Sequence, residues 1–168
     1  LSAKEWCHES DRATLSAQTF LSVETMQRST LVDLTPNDWA LMESKSKRLT
    51  FSLGEEIISE GSRIERLFVI RVGSAAVELA GTHSRAAIAT LLPGDICGEI
   101  AFLGDSRATA TVVAKDSVGV DAIWAIDLRE LISVFPGFGT RFYRSLAIIL
   151  GQRLRQTSME LLREMVRK

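Results

Sequence analysis

Pro93-Gly94-Asp95-Ile96-Cys97-Gly98-Glu99-Ile100-Ala101-Phe102-Leu103-Gly104-Asp105-Ser106-Arg107-Ala108-Thr109-Ala110-Thr111-Val112 is the most informative stretch of this 168-residue chain. Small residues and glycines surround the carboxylate of Glu99, and an arginine, Arg107, follows eight residues later. The pattern predicts a short helical turn over Glu99–Leu103. Backbone N–H groups at a helix start or in a nest cradle phosphate. The donor fork of an arginine pairs with one. A glutamate accepts hydrogen bonds from a ribose hydroxyl, and alanines let the backbone come close. The stretch therefore suits a phosphorylated ribose.

Around it, from Arg48 to about Trp124, apolar residues recur with period two between glycines. The short runs Arg48–Phe51, Glu56–Ser59, Leu67–Arg71, Ala75–Leu79, Ala86–Leu92, Thr109–Ala114 and Val118–Ile123 read as strands. Strands at this spacing, with no strand–helix–strand alternation, indicate a sandwich or barrel. Residues 1–47 read as helical, with Ser22–Met26 and Leu31–Leu34 supplying apolar residues at helical spacing. Pro36 opens a second short helix, with Thr35 as N-cap, Asp38 in its first turn, and Trp39 and Met42 on one face. After the strands, Asp127 is expected to cap Leu128–Phe135, and Pro136-Gly137 to end that helix. A long helix follows with an apolar stripe of Phe138, Phe142, Leu146, Ile149, Leu150, Leu154, Thr157, Leu161, Leu162 and Met165. The expected fold is α+β: an antiparallel, jelly-roll-like β-roll flanked by N-terminal helices and two C-terminal helices. Its divisions are a helical connector 1–47, a roll 48–126, and regulatory or oligomerisation helices 127–168.

Composition narrows the function. Hydrophobic residues make up 46% and charged residues 24%, so the chain has the makings of a core and is not disordered. Twenty lysines and arginines against 21 acids leave a net charge of -1, which argues against DNA binding by the whole domain. Yet Pro136–Lys168 alone holds seven basic residues against two glutamates. That face is expected to be solvated; the sharper alternative is contact with anionic lipid headgroups at a membrane surface. Cys7 and Cys97 form neither a disulfide framework nor a C-x-x-C pair, so a reducing, cytoplasmic setting is expected. Cys97 reads as a small buried filler. Cys7 beside His8 lacks a second ligand pair, so no metal is expected. His83 reads as an exposed hairpin residue. No catalytic grouping stands out, so no enzyme is expected. No stretch is apolar for long enough to span a bilayer.

The quoted stretch resembles the phosphate-binding cassette of cyclic nucleotide-binding domains, whose pattern is roughly F-G-E-[LI]-A-L-L-x-x-x-x-R-[AST]-A-[TS]-V. The likeness runs from about Asp33 to Arg155 and includes Phe51-x-x-Gly54-Glu55-x-Ile57, Glu60-Gly61, Leu67-x-x-Ile70-x-x-Gly73 and Gly94-Asp95. It implies that Glu99 binds the ribose 2′-hydroxyl and that the backbone at Gly98, Ile100 and Ala101 faces the sugar phosphate. It also implies that Thr109 and Thr111 lie in the small-residue tail, where a threonine can meet a guanine edge. Counted without gaps, the phosphate-arginine position is filled by Ala108, and Arg107 sits where many members carry proline. Arg107 takes the missing role only if the loop loses one residue before it and bulges one after it. A lost charge-assisted phosphate contact costs about 1.5–3 kcal/mol, or roughly ten- to a hundredfold in affinity.

The opening Ala3-Lys4-Glu5-Trp6-Cys7-His8-Glu9 resembles a linker that follows STAS domains in sulfate permease-type transporters and some bacterial glutaminases. With Leu1 in place of a methionine, the chain is expected to be a piece of something longer, with a host domain upstream. Two readings follow. The first is a non-catalytic bacterial regulatory domain that senses cyclic AMP or cyclic GMP, with no other cofactor, and relays to a host transporter or enzyme. The alternative is a degenerate domain that no longer binds nucleotide and serves dimerisation or docking. In either case the distal helix, Leu154–Met165, is expected to pair with a second copy or a host domain. A transcription factor of the catabolite-activator type would need a helix-turn-helix beyond Lys168.

Overall fold

The computed structural model describes residues 31–81, 85–104 and 106–166. The element order is α1 (Pro36–Lys45), β1 (Ser46–Phe51), β2 (Glu56–Ile58), β3 (Arg66–Val72), β4 (Ala75–Ala80), β5 (Arg85–Leu91), β6 (Ile96–Cys97), α2 (Glu99–Gly104), β7 (Thr111–Ala114), β8 (Val118–Trp124), α3 (Ala125–Val134) and α4 (Pro136–Val166). The strands form two four-stranded antiparallel sheets, in the orders β1-β8-β3-β6 and β2-β7-β4-β5. The fold is a β-roll with flanking helices.

Strand β3 shows why the roll closes. Its run Leu67-Phe68-Val69-Ile70 is buried throughout, so both faces are covered. By the two-residue alternation of a strand, Leu67 and Val69 join one apolar cluster while Phe68 and Ile70 join another. The first cluster lies under the helices, with Met42, Phe102, Leu128, Phe138, Phe142 and Leu146. The second fills the roll, with Ile58, Leu91, Val112 and Val120. Gly73 lies at the tight β3–β4 turn with φ +81°, where a Cβ would sit 2.4 Å from the Ser117 carbonyl oxygen.

Helix α1 starts as its sequence predicts. The Asp38 N–H donates to Thr35 Oγ1 at 3.2 Å, and the Thr35 N–H donates back to the Asp38 carboxylate at 2.8 Å. Asp38 is also buried against α4, where Arg141 grips both its oxygens at 2.7 Å. Three expectations need correction. Leu31–Leu34 is a turn, closed by the Leu34 N–H donating to the Leu31 carbonyl, because Pro36 disfavours helix in the residue before it. Asp127 does not cap α3: the helix begins at Ala125, with Trp124 at the N-cap and no side-chain bond there. The strand expected from Thr109 begins at Thr111, because the preceding residues are held by another loop. Ser22–Met26, Cys7, His8 and His83 lie outside the described residues.

The apolar stripe of α4 divides. Phe138, Phe142, Leu146 and Ile149 are buried, whereas Leu154, Leu162 and Met165 are exposed. No helix among the described residues is long and apolar enough to cross a membrane.

Candidate functional site

The cassette hangs between β6 and β7. Strand β6 pairs with β3 through Val69↔Ile96 and Phe68↔Cys97, which brings the chain to the helix side of the roll. Asp95 fixes the turn before it. Its carboxylate accepts from the Leu92 N–H at 2.7 Å, and burial raises its pKa despite that bond. Cys97 is buried, and desolvation pushes its thiol well above the ordinary range, so it packs as an apolar filler.

Gly98 then turns the chain with φ +87°. A Cβ there would lie 2.7 Å from the Arg66 carbonyl oxygen, so the position accepts glycine alone without a shift of backbone. The Gly98 carbonyl receives the Phe102 N–H at 3.0 Å, which starts α2. On α2, Glu99 and Ala101 are buried, while Ile100 is 46% exposed. Phe102 docks the helix edge-on against Phe142 of α4, with ring centroids 6.1 Å apart.

Glu99 is the decisive residue. It is 3% exposed, and its carboxylate is ion-paired with Arg153 of α4. Arg153 also donates to the Ile96 carbonyl at 2.9 Å, so one guanidinium ties α4 to both ends of the β6–α2 corner. Burial raises the Glu99 carboxyl above its ordinary range, and the Arg153 charge opposes that rise. Sequence reasoning missed this partner. Arg153 lies 54 residues from Glu99, and the sequence marks it only as one of the seven basic residues of Pro136–Lys168.

The tail of the cassette is stitched to the β2–β3 loop. The Gly61 N–H donates to the Ala108 carbonyl at 2.8 Å, and the Ala108 N–H donates to the Ser62 carbonyl at 2.9 Å. Thr111 is buried, and its Oγ1 accepts from the Glu60 N–H at 3.1 Å. Ala108 packs against the cluster inside the roll. Neighbours in extended backbone point to opposite faces, so Arg107 is directed outward. Its guanidinium donates to the Gly61 carbonyl at 2.8 Å. Arg107, the candidate phosphate partner, is thus engaged on the outer side of the loop, and Thr109 is exposed beside it.

A β-roll that carries a short helical cassette, closed by a long C-terminal helix, defines a class of small-ligand regulatory domains. Residues 48–135 match the family model of the cyclic nucleotide-binding domain, and the chain belongs to that family. It is 29% identical over 131 residues to the cyclic AMP receptor protein of Thermus thermophilus, covering 76% of this chain and 58% of that one. It is 27% identical over 133 residues to glutaminase 2 of Bradyrhizobium diazoefficiens, covering 79% of this chain and 21% of that one. The chain therefore spans only part of the length of these relatives. A cyclic nucleotide-binding domain from Methylobacillus flagellatus has the same fold, with a TM-score of 0.73 at 19% identity over 78% of this chain and 74% of that one.

Proposed function

We propose that this domain is a non-catalytic, cytoplasmic sensor of a cyclic nucleotide that relays occupancy of the Glu99 cassette to a host protein through α4. One observation carries the reading: the carboxylate assigned to the ribose is held by Arg153 of the C-terminal helix. A ribose hydroxyl that donates to Glu99 must share or displace that guanidinium. A ligand preferring the cassette with Arg153 displaced would shift the position of α4, and only such differential affinity produces a shift. By linkage, a host that holds α4 in place would weaken nucleotide binding by the same factor. Gly98, Ile100 and Ala101 supply the backbone that faces the sugar phosphate, and Thr109 lies at the base side. A host enzyme is supported by the likeness to one segment of a larger glutaminase.

Titration calorimetry with cyclic AMP and cyclic GMP tests the reading. Heat at micromolar ligand, abolished in Glu99→Ala, is the expected result; silence at millimolar ligand refutes it. A second reading has its own observations. Ala108 carries no charge for a phosphate, and Arg107 is turned outward. On that reading the domain is a docking or dimerisation module built on the exposed distal helix, which includes Leu154, Leu162 and Met165. It predicts a dimer that becomes a monomer in sedimentation when residues 154–168 are removed; an unchanged mass refutes it.

A further inference from the structure

Several arginines of the roll and its helices face a carboxylate: Arg48 and Arg71 meet Asp121, Arg85 meets Glu56, Arg141 meets Asp38, Arg144 meets Asp33 and Arg153 meets Glu99. Around the β2–β3 loop this pattern breaks. Arg63, Arg66 and Arg107 have no ion pair among the described residues. Arg63 stands directly opposite Arg107 in an isolated antiparallel bridge, and like charges so placed are destabilising. Arg107 is occupied by the Gly61 carbonyl, and Arg66 stacks on Trp124 with its guanidinium carbon 3.9 Å from the ring centroid. Arg63 and Arg66 wall a cleft of about 300 Å³ together with Ser59, Ser62, Ile64 and Trp124. Buried Ile58 and Phe68 also line it, and Glu65 is the acidic residue on its wall.

The cleft is separate from the nucleotide cassette, since none of residues 98–111 lines it. The two nevertheless touch. The Arg66 carbonyl oxygen and Ile64 Cγ2 would lie 2.7 and 3.3 Å from a Cβ on Gly98.

We propose that this cleft receives an acidic segment of a partner protein, whose carboxylate spans Arg63 and Arg66 and whose apolar neighbour lies against Ile64 and Trp124. Charge complementarity names the occupant. Two unpaired guanidinium groups match a carboxylate, and stacking on Trp124 fixes the plane of Arg66 before binding, so less side-chain freedom is lost. The apolar wall offers nothing to a free inorganic anion, but it covers the aliphatic part of a peptide. The inference stands whether or not the cassette binds nucleotide.

The test uses the full chain, labelled with nitrogen-15 at tryptophan, and follows the Trp124 indole N–H, assigned with Trp124→Phe. The probe is an acetylated hexapeptide alternating glutamate and leucine, with a glutamine-for-glutamate peptide and inorganic phosphate as comparisons. A saturable shift with the glutamate peptide is expected, weakened about tenfold or more by Arg63→Gln. Arg63 is exposed, so the melting temperature of that variant should match the parent and exclude unfolding as the cause. No shift at millimolar peptide overturns the proposal, as does an equal shift with the glutamine peptide. The same saturable shift with phosphate alone marks an anion site only and also overturns it. So does a shift that depends on protein concentration without peptide, which assigns the cleft to a second copy.

Discussion

Replacing Arg153 by alanine tests the link between cassette and helix without any ligand. The substitution orphans a carboxylate that is 3% exposed on its side chain and removes the donor to the Ile96 carbonyl. Breaking a fully buried pair costs about 3–5 kcal/mol. The Arg153 side chain is 34% exposed, so water screens the pair from one side and the cost is smaller. About 2–3 kcal/mol is expected at neutral pH, of which about 1 kcal/mol is the Ile96 hydrogen bond. For a chain of this size that lowers the melting temperature by about 5–10 °C.

The pH dependence carries the sharper test. The folded-state Glu99 carboxyl is already raised by burial, against the pull of Arg153. A raised acid binds its proton more tightly in the folded chain, so its contribution is fully present below the unfolded value, about 4.3, and declines as pH climbs through the folded value. Without Arg153 the folded value climbs further. The cost of Arg153→Ala should therefore be smallest in acid, where Glu99 is protonated and only the Ile96 hydrogen bond is lost, and should grow as pH rises. Urea unfolding followed by circular dichroism reads both. In the double variant Glu99→Gln, Arg153→Ala, most of the loss at the higher pH should disappear. A cost independent of pH, or a double variant as unstable as Arg153→Ala at about pH 7.5, refutes the reasoning.

Other outcomes follow from the same geometry. Gly98→Ala combines positive φ with a 2.7 Å approach to the Arg66 carbonyl oxygen. It should cost about 2–3 kcal/mol, read as a lower urea midpoint. For Asp38, hydrogen bonding by Arg141 holds the carboxyl well below the usual carboxylate range, despite burial. A depressed acid contributes stability above its unfolded value, about 3.9, and loses it as pH falls through the folded value. Asp38→Asn should thus lose stability at neutral pH and flatten the acid limb of the urea midpoint below about pH 4. Ala108→Arg places a guanidinium at the family's phosphate position and should tighten cyclic nucleotide binding by about ten- to a hundredfold in calorimetry; no gain counts against that placement.

What the sequence made legible was local or periodic. Thr35, Pro36 and Asp38 announce a helix start because all the bonds of that cap lie within four residues. The short apolar runs between glycines announce the strands because side chains along each alternate between two faces. Strand β6 escaped notice because Ile96-Cys97 is too short to show a period. Asp127 misled because a carboxylate near a helix start looks like a cap whether or not its oxygen reaches an N–H. Within the site, Glu99 stands out as the acid between Gly98 and the short helix, but its partner does not. Arg153 is one of seven basic residues on its helix segment, and only the wrap of α4 over β6 distinguishes it. Whether Arg107 or Ala108 takes the phosphate position turns on a one-residue register shift, which in extended backbone means the opposite face.

The division of α4 has a mechanical consequence. Its anchored half ends near Ile149 and Arg153, while Val166 at its far end is 86% exposed. From Ile149 to Val166 the helix extends about 25 Å at 1.5 Å per residue. A tilt of about 10° about that fulcrum would carry the tip through about 4 Å, close to the pitch of one helical turn. A contact change of about 1 Å at Arg153, about 6 Å along the helix from Ile149, would thus be geared up about fourfold, to a displacement that changes which side chains meet at a docking surface.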